Sequence, residues 1–207
     1  MNKNELETNR MEALNNVPIP SGWCVYTLYE IRDKSDKYSF TGGPFGSNLK
    51  KEHYTQKGIR IIQLQNIGDG KFLNNYKLYT SEEKANELYS CNIFPNDIII
   101  SKMADPLARA CKVPAIEERF LMASDGIRLK VDEERFDTDF VLYMINSWNF
   151  RKEAIRKGTG TTRMRIALAD LKNIKLMVPP LHEQKLISNS LLTWDRAIEL
   201  KEKLIEQ

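Results

Sequence analysis

The chain has 207 residues, of which 42% are hydrophobic and 29% charged, and its net charge is +3 at pH 7. This apolar content is enough for one hydrophobic core and excludes an intrinsically disordered chain, and the length fits about one domain with an additional element. No apolar run approaches the roughly 20 residues of a membrane-spanning helix. The polar first 16 residues do not resemble a signal peptide.

The first 16 residues favour a helix, over 3–15, and the prolines and glycine of 17–22 end it. From there to residue 180 short β-prone runs alternate irregularly with two helical stretches, which indicates one α+β globular domain over 17–180. The runs expected to form strands are 59–64, 97–101, 126–131 and 174–178. The expected helices are 81–88, opened by Ser81, and 138–156, with Thr138 as N-cap.

Pro179 and Pro180 precede a stretch that reads as one long helix over 181–207, about 40 Å in length. Its apolar positions step by four and three residues, which is the spacing of a coiled-coil seam. This pattern fits a helix that packs on the chain's own domain, and it fits equally a helix that serves as a coiled-coil dimerisation arm. Lys201 weakens or specifies the seam, whose apolar members, the candidate dimerisation residues, are Ile187, Leu191, Trp194, Ile198 and Ile205.

Three cysteines and two histidines are too few and too scattered for a tetrahedral zinc site. An odd, sparse cysteine count is typical of a reducing compartment, so we expect a cytoplasmic protein without a bound metal. Catalytic signatures are also missing, since no Gly-x-Ser-x-Gly motif occurs. A nuclease-like set of Asp69, Glu82 and Lys84 falls partly in an exposed helical run, and we expect no catalytic centre.

Positive charge is segregated along the chain. Residues 151–175 hold eight basic and two acidic side chains, a net charge of +6, and residues 37–60 hold five and one, a net charge of +4. Both segments also contain loops rich in glycine, hydroxyl and amide groups, over 41–51 and 158–165, and neither has a nucleotide-binding signature. Clustered cations suit contact with DNA phosphates, although ordinary solvated loops would give the same pattern.

Several motifs, in order, resemble the specificity subunits of type I restriction–modification systems. They are VPIPSGW at 17–23, GPFGSNLKKEHY at 43–54, GIRIIQLQNIGDG at 58–70, PNDIIISK at 95–102, GTGTTRMRI at 158–166, LKNIKL at 171–176 and VPPLHEQKLI at 178–187. The last motif, which enters the long helix, is the most specific of them. The resemblance covers about residues 17–207.

The resemblance implies that residues 17–180 are a target-recognition domain that reads one half of a split DNA site, followed by the conserved helix. Full-length subunits of the family carry two such units, so this chain is similar to a half-subunit or a fragment. Two copies pairing through the seam would restore two recognition domains, and a two-fold axis would then predict a palindromic, interrupted target.

The implied partners are double-stranded DNA, a modification subunit that uses S-adenosylmethionine, and a motor-nuclease subunit. ATP and Mg²⁺ would belong to those subunits, and this chain would need no cofactor. An independent nuclease or methyltransferase, a non-enzymatic scaffold, and an antagonist that occupies the modification subunit remain alternatives.

The candidate DNA-binding residues divide by chemistry, because arginine and lysine hold phosphates whereas amides and bidentate donors read base edges. The candidates for phosphate contact are Lys50, Lys51, Lys157, Arg163 and Arg165. The candidates for base contact are Asn48, His53, Gln63, Gln65, Lys102 and Arg109. Thr159, Thr161 and Thr162 suit either role, and Tyr54 completes the expected set.

Overall fold

Isoleucine-rich runs form the central strands of the protein, because β-branched side chains pack well on a pleated surface. The computed structural model describes residues 20–103, 106–160 and 163–205, and the helix expected over 1–16 lies outside them. The strands are β1 (Cys24–Thr27), β2 (Phe40–Gly42), β3 (Tyr54–Thr55), β4 (Ile59–Ile62), β5 (Leu78–Thr80), β6 (Asn92–Ile93), β7 (Ile98–Ser101), β8 (Ala110–Lys112), β9 (Phe120–Met122), β10 (Gly126–Leu129) and β11 (Lys175–Val178).

These strands form three sheets. An antiparallel four-stranded sheet has the order β2-β10-β7-β8, and a five-stranded sheet has the order β3-β5-β4-β9-β6, in which only β4 and β9 are parallel. β1 and β11 form a separate antiparallel ribbon. The four expected strand runs are confirmed as β4, β7, β10 and β11, although each is one or two residues shorter than expected.

The helices are α1 (Glu82–Glu87), α2 (Thr138–Asn146), α3 (Trp148–Lys157), α4 (Leu168–Leu171) and α5 (Leu181–Ile205). The single helix expected over 138–156 is wrong, because Ser147 adopts an extended conformation (ψ 153°) and separates α2 from α3. Its hydroxyl accepts from the N–H of Phe150 and caps α3. The expected N-cap Thr138 is also wrong, since Asp137 caps α2 by accepting from the N–H of Phe140 at 2.8 Å. Ser81 caps α1, as expected.

The two faces of β7 show what packs on each side of the four-stranded sheet. Ile98 and Ile100 are buried in the cluster that also holds Phe140 and Ile145 of α2, whereas Ile99 is buried with Phe120 and Met122 of β9. Alternate side chains of a strand point to opposite faces. The four-stranded sheet is therefore covered by helices on one face and by the five-stranded sheet on the other, which is a mixed α+β architecture, as expected.

A buried ion pair joins the middle of this sheet to the loop before β2. The Arg128 guanidinium donates to Asp97 at 2.6 Å and to Asp36 at 2.9 Å, and the arginine and Asp97 are almost fully buried. Removing one member of such a pair would leave a charge buried without its partner.

The long helix α5 is fixed to the domain at its first turn. The buried side chain of Gln184 accepts from the N–H of Asp137 at 2.9 Å and donates to the carbonyl of Pro179 at 2.9 Å. The indole N–H of Trp23 donates to Glu183 at 3.3 Å. In the described parts of the chain, no helix has both the length and the apolar content to cross a bilayer.

Candidate nucleic-acid interface

The loop between β2 and β3 is held in one position by close packing at its base. A Cβ atom on Gly43 would lie 1.8 Å from the carbonyl oxygen of Ala123, so the backbone can approach this closely only at a glycine. The Gly43 N–H donates to the Gly126 carbonyl at 2.8 Å, and Pro44 and Leu49 are buried. The loop therefore presents residues 45–48 to solvent from a fixed base.

Two adjoining clefts flank this loop and share its residues 44–46 together with Ser124 and Asp125. The smaller cleft, about 210 Å³, is also lined by Tyr54, Gln63 and Gln65. The larger cleft, about 600 Å³, is also lined by Lys102 and Arg165. We call this surface the cleft face: residues 43–50, Tyr54, residues 63–65, Lys102, residues 123–125 and Arg165. The structure thus gathers seven of the candidate residues on one surface: Asn48, Lys50, Tyr54, Gln63, Gln65, Lys102 and Arg165.

Arg165 reaches the cleft face through backbone pairing. Its N–H and carbonyl exchange two 2.8 Å hydrogen bonds with Thr159, and the N–H of the next residue, Ile166, donates to the carbonyl of Lys102 at 2.9 Å. The Arg165 guanidinium is half exposed and lies 3.0 Å from the Asp125 carboxylate. Arg163 and Thr159 are exposed in the same segment, and Lys157 is half-buried where α3 ends. Thr161 and Thr162 lie outside the described residues.

A short 3-10 turn at Lys51–His53 forms the rim of the loop. Lys50, Lys51 and Asn48 are exposed there. The ring nitrogen Nδ1 of His53 accepts from the N–H of Lys50 at 3.0 Å, which leaves Nε2 facing Glu52 at 3.9 Å. The rim thus offers two lysines, an amide and an imidazole nitrogen next to the clefts.

Arg109 differs from the other candidates because it lies beneath the cleft face. It is half-buried, and its guanidinium donates to the carbonyl of Leu64 at 2.9 Å. This bond supports the 3-10 turn Leu64–Asn66, which contains Gln65 and follows its N-cap residue Gln63, and both glutamines line the smaller cleft. The contact gives Arg109 a positioning role in the free protein.

Phe45, Ser124 and Asp125 line the clefts but were not among the expected residues. Phe45 has an available signal, since an aromatic residue between Pro44 and Gly46 in a turn has no strand or helix to bury it. Asp125 follows no recognisable motif, and its place beside Arg165 depends on the backbone hydrogen bonds that Lys102 makes with Asp125 and with Ile166.

Each of the nuclease-like residues has an ion-pair partner outside the set. Asp69 pairs with Arg151, and Glu82 lies 3.3 Å from Arg119. Lys84 lies 2.8 Å from Glu87. Across residues 20–103, 106–160 and 163–205, no group of acidic, histidine or cysteine side chains is arranged to hold a metal ion. This geometry is that of ordinary surface ion pairs.

The long helix α5 has two different faces. Asp195 accepts from the hydroxyl of Tyr143 at 2.5 Å, and Glu199 lies 2.9 Å from Lys71, so this face lies along the domain. Burial and the bond to Asp195 raise the pKa of Tyr143. At 100° per residue the apolar stripe, defined as Leu191, Trp194, Ile198 and Ile205, is roughly 90° away from the two carboxylates.

The apolar stripe is open to solvent in the single chain. Trp194 is 70% exposed and Ile205 75% exposed, and Leu191 and Ile198 are also exposed. Ile187, the first expected seam residue, is half-buried against the domain's own core. The base of the helix therefore packs on the domain, as one of the two expectations has it. The apolar stripe has no partner among the described residues, and its service as a dimerisation arm stays a prediction.

A family model described as the type I restriction modification DNA specificity domain matches residues 20–207. The chain belongs to this family. It is thus a DNA-specificity domain, the non-catalytic recognition unit that the sequence motifs predict.

Two curated relatives come from Methanocaldococcus jannaschii. The type I restriction enzyme MjaVIII specificity subunit is 27% identical over 193 residues, which cover 91% of this chain and 43% of the relative. The putative type I restriction enzyme MjaX specificity subunit is 37% identical over 192 residues, which cover 91% of this chain and 40% of the relative. The chain therefore spans less than half the length of these relatives.

Solved structures share the fold. The HsdS subunit from Thermoanaerobacter tengcongensis matches with a TM-score of 0.65 at 17% identity, over 91% of this chain and 46% of that one. The S subunit of a type I restriction-modification system from M. genitalium matches with a TM-score of 0.59 at 20% identity, over 92% and 44%. A chain from a study of type I complex assembly gives 0.66 at 18% identity, over 97% and 50%.

Proposed function

We propose that this chain reads one half of a split DNA site on behalf of a type I restriction–modification complex. The observation that carries the proposal is the cleft face, where lysine, arginine and amide side chains from three separate segments meet around a fixed loop. A specificity domain needs such a surface because phosphate contacts set the position on DNA while amides and bidentate donors read the bases.

The division of roles follows from exposure and position. Lys50 and Lys51 on the rim and Arg163 and Arg165 on the other side are exposed cations that suit phosphates on the two sides of a groove. Gln65 lies in the smaller cleft, and an exposed glutamine amide matches the major-groove edge of adenine. Lys102, in the larger cleft, suits a guanine edge or a phosphate.

A second copy of the chain is the proposed occupant of the apolar stripe. The stripe is exposed over about four helical turns, and the curated relatives are more than twice as long as this chain, enough for a second unit of the same size. Pairing two copies through α5 would provide two recognition domains about a two-fold axis, with a palindromic, interrupted target. The spacing of the two half-sites would be set by the rigid helix.

The chemistry would be supplied by partner subunits in the cytoplasm. By family resemblance these are a modification subunit that binds S-adenosylmethionine and a restriction subunit that uses ATP and Mg²⁺. This chain would bind the modification subunit and direct it to the site. The alternative function, a scaffold or antagonist that binds the modification subunit without reading DNA, predicts no sequence-selective binding.

DNA binding as a function of salt concentration tests the cleft face. Changing Arg163 and Arg165 together to alanine removes up to two phosphate contacts, and each contact contributes about 0.9 to the slope of log affinity against log salt. We expect a weaker affinity and a slope smaller by about 1–2. The matched control is Arg196→Ala with Lys203→Ala, which removes two exposed charges from α5. Equal affinity and slope in the first variant would remove both arginines from the interface.

Sedimentation of the purified chain tests the pairing. Replacing Trp194 and Ile198 with glutamate places charges on the apolar stripe, and we expect the double variant to sediment as a monomer while the unaltered chain sediments as a dimer. Asn189→Glu adds a charge to the same helix, roughly 170° around from the stripe, and should leave the dimer intact. A monomeric unaltered chain would refute pairing through α5.

A further inference from the structure

Phe45 is the most exposed of the large hydrophobic side chains in the described part of the chain, with 82% of its surface open to solvent. Its position is not a consequence of a loose loop. Gly43 is held against Ala123, Pro44 and Leu49 are buried, and the Asn48 N–H donates to the carbonyl of Phe45 itself at 2.8 Å. The protein therefore holds an aromatic ring out from its surface on a fixed support.

The surroundings of the ring indicate what it meets. Phe45 lines both clefts of the cleft face, where the amide, hydroxyl and charged groups of Gln65, Ser124, Asp125 and Arg165 stand among single apolar side chains such as Leu64 and Leu168. An apolar protein partner would need a wider apolar patch around such a ring. A nucleobase has a flat apolar face and polar edges, and it is flanked by phosphates, which matches a ring set among amides and cations.

We infer that Phe45 is a wedge residue that packs its ring against a base step of the bound duplex and partly unstacks it. This inference rests on the proposed DNA-reading function and assigns one residue a role within it. Proteins that deform DNA insert apolar side chains, phenylalanine among them, between base steps. A fixed support favours this role, because a ring on a mobile loop would move aside rather than displace a stacked base.

The salt dependence of DNA binding distinguishes the proposed Phe45 contact from the contacts of the lysine and arginine side chains. Stacking of a base on an aromatic side chain releases no counterions, so its loss lowers affinity without changing the salt slope. The effect of removing one such contact is roughly 5- to 150-fold in affinity. Because Phe45 is exposed in the free protein, its removal should leave thermal stability unchanged.

The experiment uses a 40-bp duplex carrying the site that the unaltered chain selects from a random library, with 2-aminopurine placed at successive adenines. We expect fluorescence to rise at one step on binding of the unaltered chain and not on binding of Phe45→Ala. The variant should bind roughly 5- to 150-fold more weakly with an unchanged salt slope, and Phe45→Leu should retain part of the affinity. Ile116→Ala removes another exposed apolar side chain, outside the clefts, and should have no effect.

Unchanged affinity of Phe45→Ala, or an undiminished 2-aminopurine signal, would overturn the inference. So would normal DNA binding combined with weaker binding to the modification subunit, which would make Phe45 a protein-docking residue. If Arg163→Ala with Arg165→Ala lowers the salt slope while Phe45→Ala changes nothing, the proposed function stands and this inference fails. If the unaltered chain selects no site at all, the proposed function itself fails.

Discussion

Replacing Gln184 with alanine should loosen the junction between the recognition domain and α5. The Gln184 side chain is buried, accepts from Asp137 N–H, and donates to the carbonyls of Pro179 at 2.9 Å and Arg135 at 3.3 Å. Asp137 is also the N-cap of α2, so this one amide joins the starts of two helices.

The magnitude follows from the groups that alanine leaves unpaired. The Asp137 N–H and the Pro179 carbonyl lose their side-chain partner, and an unsatisfied buried group costs about 1–3 kcal/mol. Asp137 is only half-buried, so water can replace part of the loss. We therefore expect the free energy of unfolding to fall by about 2–4 kcal/mol.

Urea unfolding followed by circular dichroism measures this change. The midpoint should fall while the slope with urea stays the same, which marks a change in stability rather than in the exposed surface. Lys185→Ala, at the adjacent exposed position, should change the free energy of unfolding by less than about 0.5 kcal/mol. A loss below about 1 kcal/mol in Gln184→Ala would refute the view that this amide fixes the helix to the domain.

Two further predictions concern the loop base and the buried thiols. Gly43→Ala should lower both stability and DNA affinity, because its Cβ would meet the Ala123 carbonyl. Gly46→Ala should fold normally, because a Cβ atom at position 46 would have nothing within 4 Å. Equal melting temperatures of the two variants would contradict the close packing at Gly43. Burial raises the pKa of Cys111 to about 12 and also raises the pKa of Cys91. A thiol reagent at pH 8 should therefore label only the exposed Cys24 until urea is added. Fast labelling of two or three thiols in the native protein would contradict the buried positions.

The elements that sequence could predict are those with a strong local pattern. The isoleucine run of β7 and the apolar spacing of α5 identify both elements without any tertiary information. Strands of two or three residues, such as β2 and β9, carry too few residues to show a period, and they form because partners distant in sequence supply their hydrogen bonds. Serine is tolerated inside helices and favoured at N-caps, so the sequence alone does not show that Ser147 separates α2 from α3.

The candidate site was predictable in chemistry but not in arrangement. The sequence predicts DNA contacts in the loops 41–51 and 158–165 and at Gln65, yet the position of Arg165 beside the first loop depends on pairing of Arg165 with Thr159 and of Ile166 with Lys102. The support that Arg109 gives to Leu64 has no sequence signal, because it joins a side chain to a backbone carbonyl 45 residues away. Phe45 lies in a loop whose glycine, hydroxyl and amide groups predict hydrogen bonding to DNA, and that pattern does not indicate a role for its aromatic ring.

A map of DNA methylation tests the central claim most directly. The chain is expressed with its cognate modification subunit in a bacterium that lacks methylation of its own, and modified bases are located by sequencing. We predict a split, palindromic motif that disappears when this chain is omitted. A split but asymmetric motif would contradict the pairing of two identical copies. No new methylation, with the modification subunit shown to be active beside another specificity subunit, would contradict the proposed function.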